Sequence, residues 1–341
     1  MKITINEIAK KAGVSKATVS RVLNNSKPVN ESLRKRVLQV IEETNFRPNA
    51  LARGLSLQKT RVIGVIIPDL SNPVFSRIIA GIESYTRAHD YSLMITATDY
   101  DISTEIKHIN LFRDKGVEGL ILLTDDVNQK LSEVLGDFSK PIIMIGSDCD
   151  LEKIPVIKID NMKAAYEATQ YLINLNHKRI AMIRGPLTDR FSGNLRFEGY
   201  KKALVESGIY DENLVKEGKY SFEHGYQTMT HLLAGSKIPT AIFCANDVMA
   251  VGALKCALDN DLNVPEELSI MGFDDIEIAK IYTPSLSSVH QPFEAKGERA
   301  IAKLIHMIES EADETISECA FEDEVLEHRL IIRQSTKRIK S

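Results

Sequence analysis

A chain of 341 residues, 43% hydrophobic and 26% charged, is too long for one ordinary core and apolar enough to build two or three. No apolar run approaches membrane-spanning length, and Cys149, Cys244, Cys256 and Cys319 are scattered without a close pair, which argues against a helical membrane span, a disulfide framework or a cysteine metal site. The formal charge of −4 conceals an asymmetry: residues 1–60 hold 12 Lys or Arg against 4 Asp or Glu, and the remaining 31 basic and 43 acidic residues make the rest acidic. A basic head on an acidic body is the footprint of a module that neutralises DNA phosphates.

The chain starts in amphipathic helix, so no secretory signal is expected and the cytoplasm is the expected compartment. Ile5, Ile8, Ala9 and Ala12 recur on one helical face, and Gly13 supplies the left-handed residue that ends it. Ser15 is a natural N-cap for a second helix with Val19, Val22 and Leu23 inside and Lys16, Ala17, Thr18, Ser20 and Arg21 outside. Two helices with so tight a turn read as a helix-turn-helix, whose short and cationic outer residues suit base edges and phosphates. An ordinary helical hairpin with a solvated charged face is the alternative for this stretch taken alone.

Asn30 caps a third helix through about Thr44, with Leu33, Val37, Val40 and Ile41 inward. Pro48 and Asn49 then begin a helix of under two turns over Ala50 to Leu55, unstable by itself, and Ser56 to Thr60 read as linker. This piece is either a mere linker helix or a device that wedges an exposed leucine between base steps of the minor groove.

From Arg61 strands alternate with helices. VIGVIIP, YSLMITAT, VEGLILLT, PIIMIG and VIKID are short Ile- and Val-rich runs, separated by helices over Phe75–His89, Ser103–Lys115 and Val127–Asp137. A second series follows: helix Met162–Asn176, strand RIAMIRG, helix Leu195–Ser207, a strand near Gly218–Tyr220, helix Glu223–Ala234, strand TAIFCA, helix Val248–Asn260 and strand LSIMGF. Two doubly wound parallel-sheet lobes in series imply a cleft between them at the carboxyl ends of the strands, the default place for a small ligand.

The polar residues at those ends are Asp69, Ser71 and Asn72, Ser147 and Asp148, Asp160 and Asn161, Thr188 to Arg190 with Ser192, Asn246 and Asp247, and Asp274 and Asp275. Any one of them could simply cap the next helix. Together, with Phe75 and Tyr220 for stacking, they suit the hydroxyls of a small polar ring. No Gly-rich phosphate loop, nucleophile elbow or His–carboxylate metal pattern is present, so neither catalysis nor a cofactor is expected.

AGVSKATVSRVLN, RPNALARGL, IIPDLSNPVF, RFEGY, ANDVMAVGAL and GFDDIEIA followed by TPSLSSVHQP, in that order, resemble the LacI–GalR family of bacterial transcription repressors. The resemblance implies an all-α helix-turn-helix head, 1–46, a hinge helix and linker, 47–60, and an α/β core, 61–341, with two doubly wound lobes resembling periplasmic sugar-binding proteins. The chain would cross between lobes three times, one lobe comprising about 61–160 plus 291–322 and the other about 161–290 plus 323–341. It implies a homodimer on a pseudo-palindromic double-stranded operator, contacted through Ser15, Lys16, Ala17, Thr18, Arg21 and Asn24, with Leu55 as minor-groove wedge beside Ala52 and Arg53.

In the cleft the resemblance implies effector contacts at Arg196, Asn246 and Asp274, and a pocket lining of Phe75, Arg190, Ser192, Tyr220 and Gln291. The second lobe is most similar to the ribose operon repressor branch, through GPLTDRFSGNLRFEGY and GKYSFEHGY, which implies ribose or another small sugar-like effector. Two departures bear on that. Gly146 stands where relatives often place an Asp after the fourth strand, and Val74 replaces the first of two adjacent aromatics. EHRLIIRQST resembles the catabolite control branch, which implies a phosphorylated carrier protein as corepressor. A ligand-responsive repressor of a carbohydrate-utilisation operon is thus the leading expectation, a sugar-binding transport component the second and a sugar-processing enzyme the last.

Overall fold

The computed structural model describes residues 3–24, 28–44, 46, 60–124, 127–146, 149, 151–187, 189, 191–235, 238–313 and 322–339, without the side chains of Asn24 and residues 311–313. The chain divides into two compact units, Met1–Arg61 and Val62–Ser341.

In the first unit α1 spans Ile5–Ala12, α2 Lys16–Asn24 and α3 Glu31–Glu43. Thr4 and Glu7 form a reciprocal capping box at the start of α1, and Gly13, at φ 64°, turns the chain out of it. The Thr18 amide donates to Ser15 Oγ at 3.1 Å, and the Ser32 amide to Asn30 Oδ1 at 2.9 Å, so both expected caps are present. Ile8, Ala9, Ala12, Val19, Val22 and Val37 make the small core that fixes α2 against α1 and α3. The expected hinge segment lies outside the described residues apart from Thr60.

The second unit holds two six-stranded sheets. Lobe one contains β1 (Val62–Ile67), β2 (Ser92–Ala97), β3 (Gly119–Leu122), β4 (Ile142–Ile145), β5 (Val156–Ile159) and β11 (Glu324–Leu326), in the order β11-β5-β4-β3-β1-β2. Its helices are α4 (Pro73–Ala88), α5 (Ile102–Lys115), α6 (Gln129–Gly136) and α12 (Phe293–Asp313). Lobe two contains β6 (Ile180–Arg184), β7 (Val215–Glu217), β8 (Ala241–Cys244), β9 (Ser269–Asp274), β10 (Ser287–His290) and β12 (Arg329–Ile331), in the order β12-β10-β9-β8-β6-β7. Its helices are α7 (Asn161–Asn174), α8 (Ser192–Glu206), α9 (Phe222–Leu233), α10 (Asp247–Asp259) and α11 (Glu277–Ile281). Both sheets share the doubly wound 2-1-3-4-5 order, and β12 alone runs antiparallel, against β10.

Each sheet is coated on both faces because its strands are apolar throughout: β1, β3 and β4 in lobe one and β6, β8 and β9 in lobe two are almost wholly buried. Lobe one packs Ile63, Val65 and Ile67 towards α4 and α12, and Ile66, Leu120 and Leu122 towards α5 and α6. Lobe two has one continuous core around Tyr200, Phe243 and Phe273. Among the described residues no helix is long and apolar enough to cross a membrane.

Two expectations are corrected. The strand expected near Gly218–Tyr220 lies at Val215–Glu217: after the Gly218 amide reaches Arg184 O, Tyr220 takes φ 55°, which breaks the ladder ahead of the Ser221 cap of α9. Its single apolar residue hid it from pattern reading. The second sheet was also expected to take everything from 323 onward, but Glu324–Leu326 extends the first sheet beside β5, and the third crossing falls between Leu326 and Arg329. A three-residue strand carries too little periodicity to show which edge it joins.

Candidate functional site

On the head, Ser15, Lys16, Ala17 and Arg21 are exposed and Thr18 is half-buried, whereas Val19 and Val22 face the core. Helical spacing alone enforces that division. Ser15 and Thr18 also bond each other's hydroxyls at 2.9 Å, so their first task is capping. Arg34, Lys35 and Arg36 of α3 add exposed positive charge. Of the other expected DNA contacts, the Asn24 side chain and Ala52, Arg53 and Leu55 lie outside the described residues.

In the core, seven expected effector residues line one cavity between the lobes: Phe75, Ser192, Arg196, Tyr220, Asn246, Asp274 and Gln291. Arg190, the eighth, lies outside the described residues. The cavity measures about 110 Å³. It shares Pro68, Asn72, Tyr100, Thr124 and Tyr220 with a wider space of about 930 Å³ between the lobes.

Arg196, only 6% exposed, is held from every side: Nε donates to Asn161 Oδ1 at 2.9 Å, Nη1 to Ala245 O at 2.6 Å, and Nη2 stands 3.7 Å from Asp274 Oδ1. Its guanidinium lies 3.8 Å from the Phe273 ring centroid, so cation–π attraction adds to the ion pair. Asp274, at φ 110°, ends β9 in a conformation that a non-glycine residue adopts at a cost. Gln291 Nε2 donates to its Oδ1 at 2.7 Å. Burial raises the Asp274 carboxyl above its ordinary range, and Arg196 and Gln291 pull it back.

Tyr220 donates to Asp189 Oδ2, which also accepts from the Gly193 amide at 2.9 Å, while Asp189 Oδ1 accepts from Phe191 N at 3.2 Å. The phenol fits because residue 185 is glycine: a Cβ there would stand 2.1 Å from the hydroxyl. Asn246 spends its carbonyl on capping α10, through the Met249 amide at 2.9 Å. Asn72 and Asp160 cap α4 and α7 in the same way, so for these three the capping role is present alongside any contact with a ligand. Asp247, next to Asn246 in sequence, is buried away from the cavity, where Ser288 Oγ and the Ile276 amide hold it.

Asp189, read in the sequence only as one of the strand-end polar residues, lines the cavity, and sequence reasoning left out Lys296, Phe191 and Phe293, which line it too. Lys296 is 4% exposed and donates to Gln291 Oε1 at 2.6 Å. Burial, then the nearby Arg196 charge, pushes its ammonium down to about 7, with Asp274 opposing. The available signal was positional: Lys296 occupies the stripe of α12 that carries Phe293, Ala300, Ile301 and Leu304, where every neighbour is apolar and buried.

Residues 4–49 match the family described as bacterial regulatory proteins, lacI family, and residues 60–325 match periplasmic binding proteins and the sugar binding domain of that family. The chain is 37% identical to catabolite control protein A of Priestia megaterium over 339 residues, 99% of this chain and 100% of that protein. It is 36% identical to the transcriptional repressor PurR of Pasteurella multocida over 313 residues, 91% and 93% of the two chains. Among solved structures, a lac repressor dimer bound to operator and an anti-inducer superposes with a TM-score of 0.89 at 27% identity, covering 99% of this chain and 100% of that one.

Proposed function

The chain belongs to the lacI family of bacterial regulatory proteins, and from that premise we propose that it represses a carbohydrate-utilisation operon under the control of a small sugar-like effector in the interlobe cleft. It acts as a cytoplasmic homodimer whose paired heads present Lys16, Ala17 and Arg21 to the two halves of an operator. The observation that carries the effector half is the convergence of Arg196, Asp274, Asn246, Gln291, Tyr220 and Phe75 on one small cavity at the carboxyl ends of both sheets. Polar groups held rigid by their own hydrogen bonds, in a cavity also lined by Phe75, Phe191 and Phe293, suit a hydroxylated ring better than an apolar guest. Ribose or a derivative is the candidate that the second-lobe motifs favour.

The switch is a change in the angle between the first lobes of the two subunits. An effector that touches both walls stabilises one interlobe arrangement by its differential affinity, and that bias reaches the heads of the dimer. The test is anisotropy titration of the full chain against DNA upstream of its own operon, with and without ribose, other pentoses and hexoses, and purine bases. Salt-sensitive, sequence-specific binding that one of the sugars shifts is the expected result. Absence of specific binding under every condition would overturn the repressor reading, and a response to purines alone would overturn the sugar.

A second reading is favoured by the 37% identity with catabolite control protein A over nearly the whole chain: a phosphorylated carrier protein acts as corepressor. Operator affinity that rises with that phosphoprotein, and not with its unphosphorylated form, distinguishes it.

A further inference from the structure

The charges of the cleft do not pair off evenly. Among the described residues its lining carries two cations, Arg196 and Lys296, and two carboxylates, Asp189 and Asp274. Asp189 is engaged by the Phe191 and Gly193 amides at the start of α8 and by the Tyr220 hydroxyl. Asp274 is engaged by Arg196 and Gln291. Lys296 is left with a neutral partner: among the described residues no carboxylate lies within salt-bridge distance of its Nζ, and one of its three N–H donors goes to Gln291 Oε1. Asp274 acts on this ammonium only from beyond salt-bridge distance and Arg196 opposes it, and a buried ammonium whose direct partner is an amide oxygen is unfavourable unless more negative charge is supplied. Lys296 also stands 5.5 Å from the Phe293 ring, on the wall that lobe one gives to the cavity.

We propose that Lys296 makes the cleft select an anionic sugar derivative, one whose carboxylate or phosphate accepts the donors that Lys296 does not spend on Gln291. The proposal rests on the reading of the cleft as the effector site and names the chemical class of that effector. The anion would extend a chain of contacts that already crosses the lobes, from Lys296 of α12 through Gln291 to Asp274 and Arg196 of lobe two. Binding it would therefore also favour closure, since charge-assisted hydrogen bonds are the strong ones in such a site.

The competing explanation is that Lys296 is a strut, holding the lobes together through Gln291 whatever the ligand. The two differ in selectivity. A strut weakens all ligands alike when removed, whereas an anion receptor weakens the charged ones more.

The test is calorimetric titration of the full chain, and of its Lys296→Met and Lys296→Arg variants, with ribose and glucose against gluconate, glucuronate and the terminal phosphates of the two sugars. The expected result is that an acid binds at least about tenfold more tightly than its neutral parent, that Lys296→Met erases that ratio by weakening the acid more than the neutral sugar, and that Lys296→Arg retains part of it. Comparing carboxylates with phosphates identifies which anion is preferred. Neutral sugars binding as well as acids, or equal losses for both classes in Lys296→Met, would overturn the anion assignment and leave the cleft reading standing. Binding of neither class by a protein that still recognises its operator would overturn both. Methionine approximates the lysine stem in length and suits an apolar stripe, and thermal unfolding in parallel shows that the variant is folded.

Discussion

The two lobes have the same strand order, yet they give the cleft opposite walls. Lobe two supplies the polar one: Asp189, Arg196, Tyr220, Asn246 and Asp274 sit at the ends of its strands or on the segments that follow. Lobe one supplies Val74, Phe75, Ile78, Leu123, Ile145 and Phe293, a mostly apolar wall interrupted by Asn72, Tyr100 and Thr124 and, among the described residues, by one charge, Lys296. Shared topology thus fixes where the cleft lies and leaves its chemistry to the residues at the strand ends. On the proposed reading of the cleft, one wall would orient a ligand through hydrogen bonds, and the other would stack on it and exclude water.

Breaking the polar wall should produce the largest effect. Arg196→Ala removes the cation opposite Asp274 and leaves both Asp274 and the Asn161 amide short of a partner in a buried site. Losing one partner of such a buried pair costs about 3–5 kcal/mol, so chemical denaturation should show lobe two strongly destabilised along with loss of effector binding. An unchanged midpoint would mean that Arg196 serves the ligand and not the fold. Tyr220→Phe removes one donor from Asp189 and keeps the ring over Gly185. A hydrogen bond to a charged acceptor is worth about 1.5–3 kcal/mol, and the loss should register in thermal unfolding with the head untouched.

The head tests whether these effects stay inside the cleft. Arg21→Ala should cost about 1–3 kcal/mol of operator affinity, with nonspecific DNA binding, effector affinity and the melting temperature unchanged. Equal loss on specific and nonspecific DNA would mark Arg21 as a phosphate contact.

The legibility of the molecule in its sequence follows the same division. The head was readable because its signals are local: Gly13, Ser15 and Asn30 each act on the adjacent few residues, and all three behave as their chemistry dictates. The alternation of apolar strands and helices was readable for the same reason, and most helix starts fell within a residue or two because Asn72, Asp101, Asn128 and Asp160 are side-chain caps. Lys296 was not readable as a pocket residue, since its environment is made by Arg196 a hundred positions earlier and by Gln291 and Asp274. Nor was the sheet to which Glu324–Leu326 belongs, a choice made by the Ile157 and Ile159 pairing that no local pattern records. The strand-end carboxylates and amides were readable as a set and not singly: Asn246 lines the cavity while Asp247 is spent on Ser288 and the Ile276 amide.

Lys296, among the described residues the one charge that lobe one gives the cavity, makes a pH-dependent difference. Its ammonium sits among Arg196 and Asp274 from lobe two, and Arg77, paired with Glu294, also lies against the Phe293 ring. Folding lowers its pKa to about 7 from an ordinary 10.5. Below about 7 the folded and unfolded chains both carry the proton, and the cost of burying the charge is present in full. Between about 7 and 10.5 the unfolded chain holds a proton that the folded one has released, so the Lys296 contribution becomes less unfavourable as pH rises, by at most about 1.4 kcal/mol per unit. An anionic ligand that needs the ammonium must restore that proton, so its affinity should fall across the same window while that of a neutral sugar holds steady. Calorimetry in buffers of different ionisation enthalpy should record proton uptake on binding above pH 7, approaching one proton. In Lys296→Met both the uptake and this component of the stability slope should vanish, and uptake that survives the substitution would assign the proton to Asp274 instead.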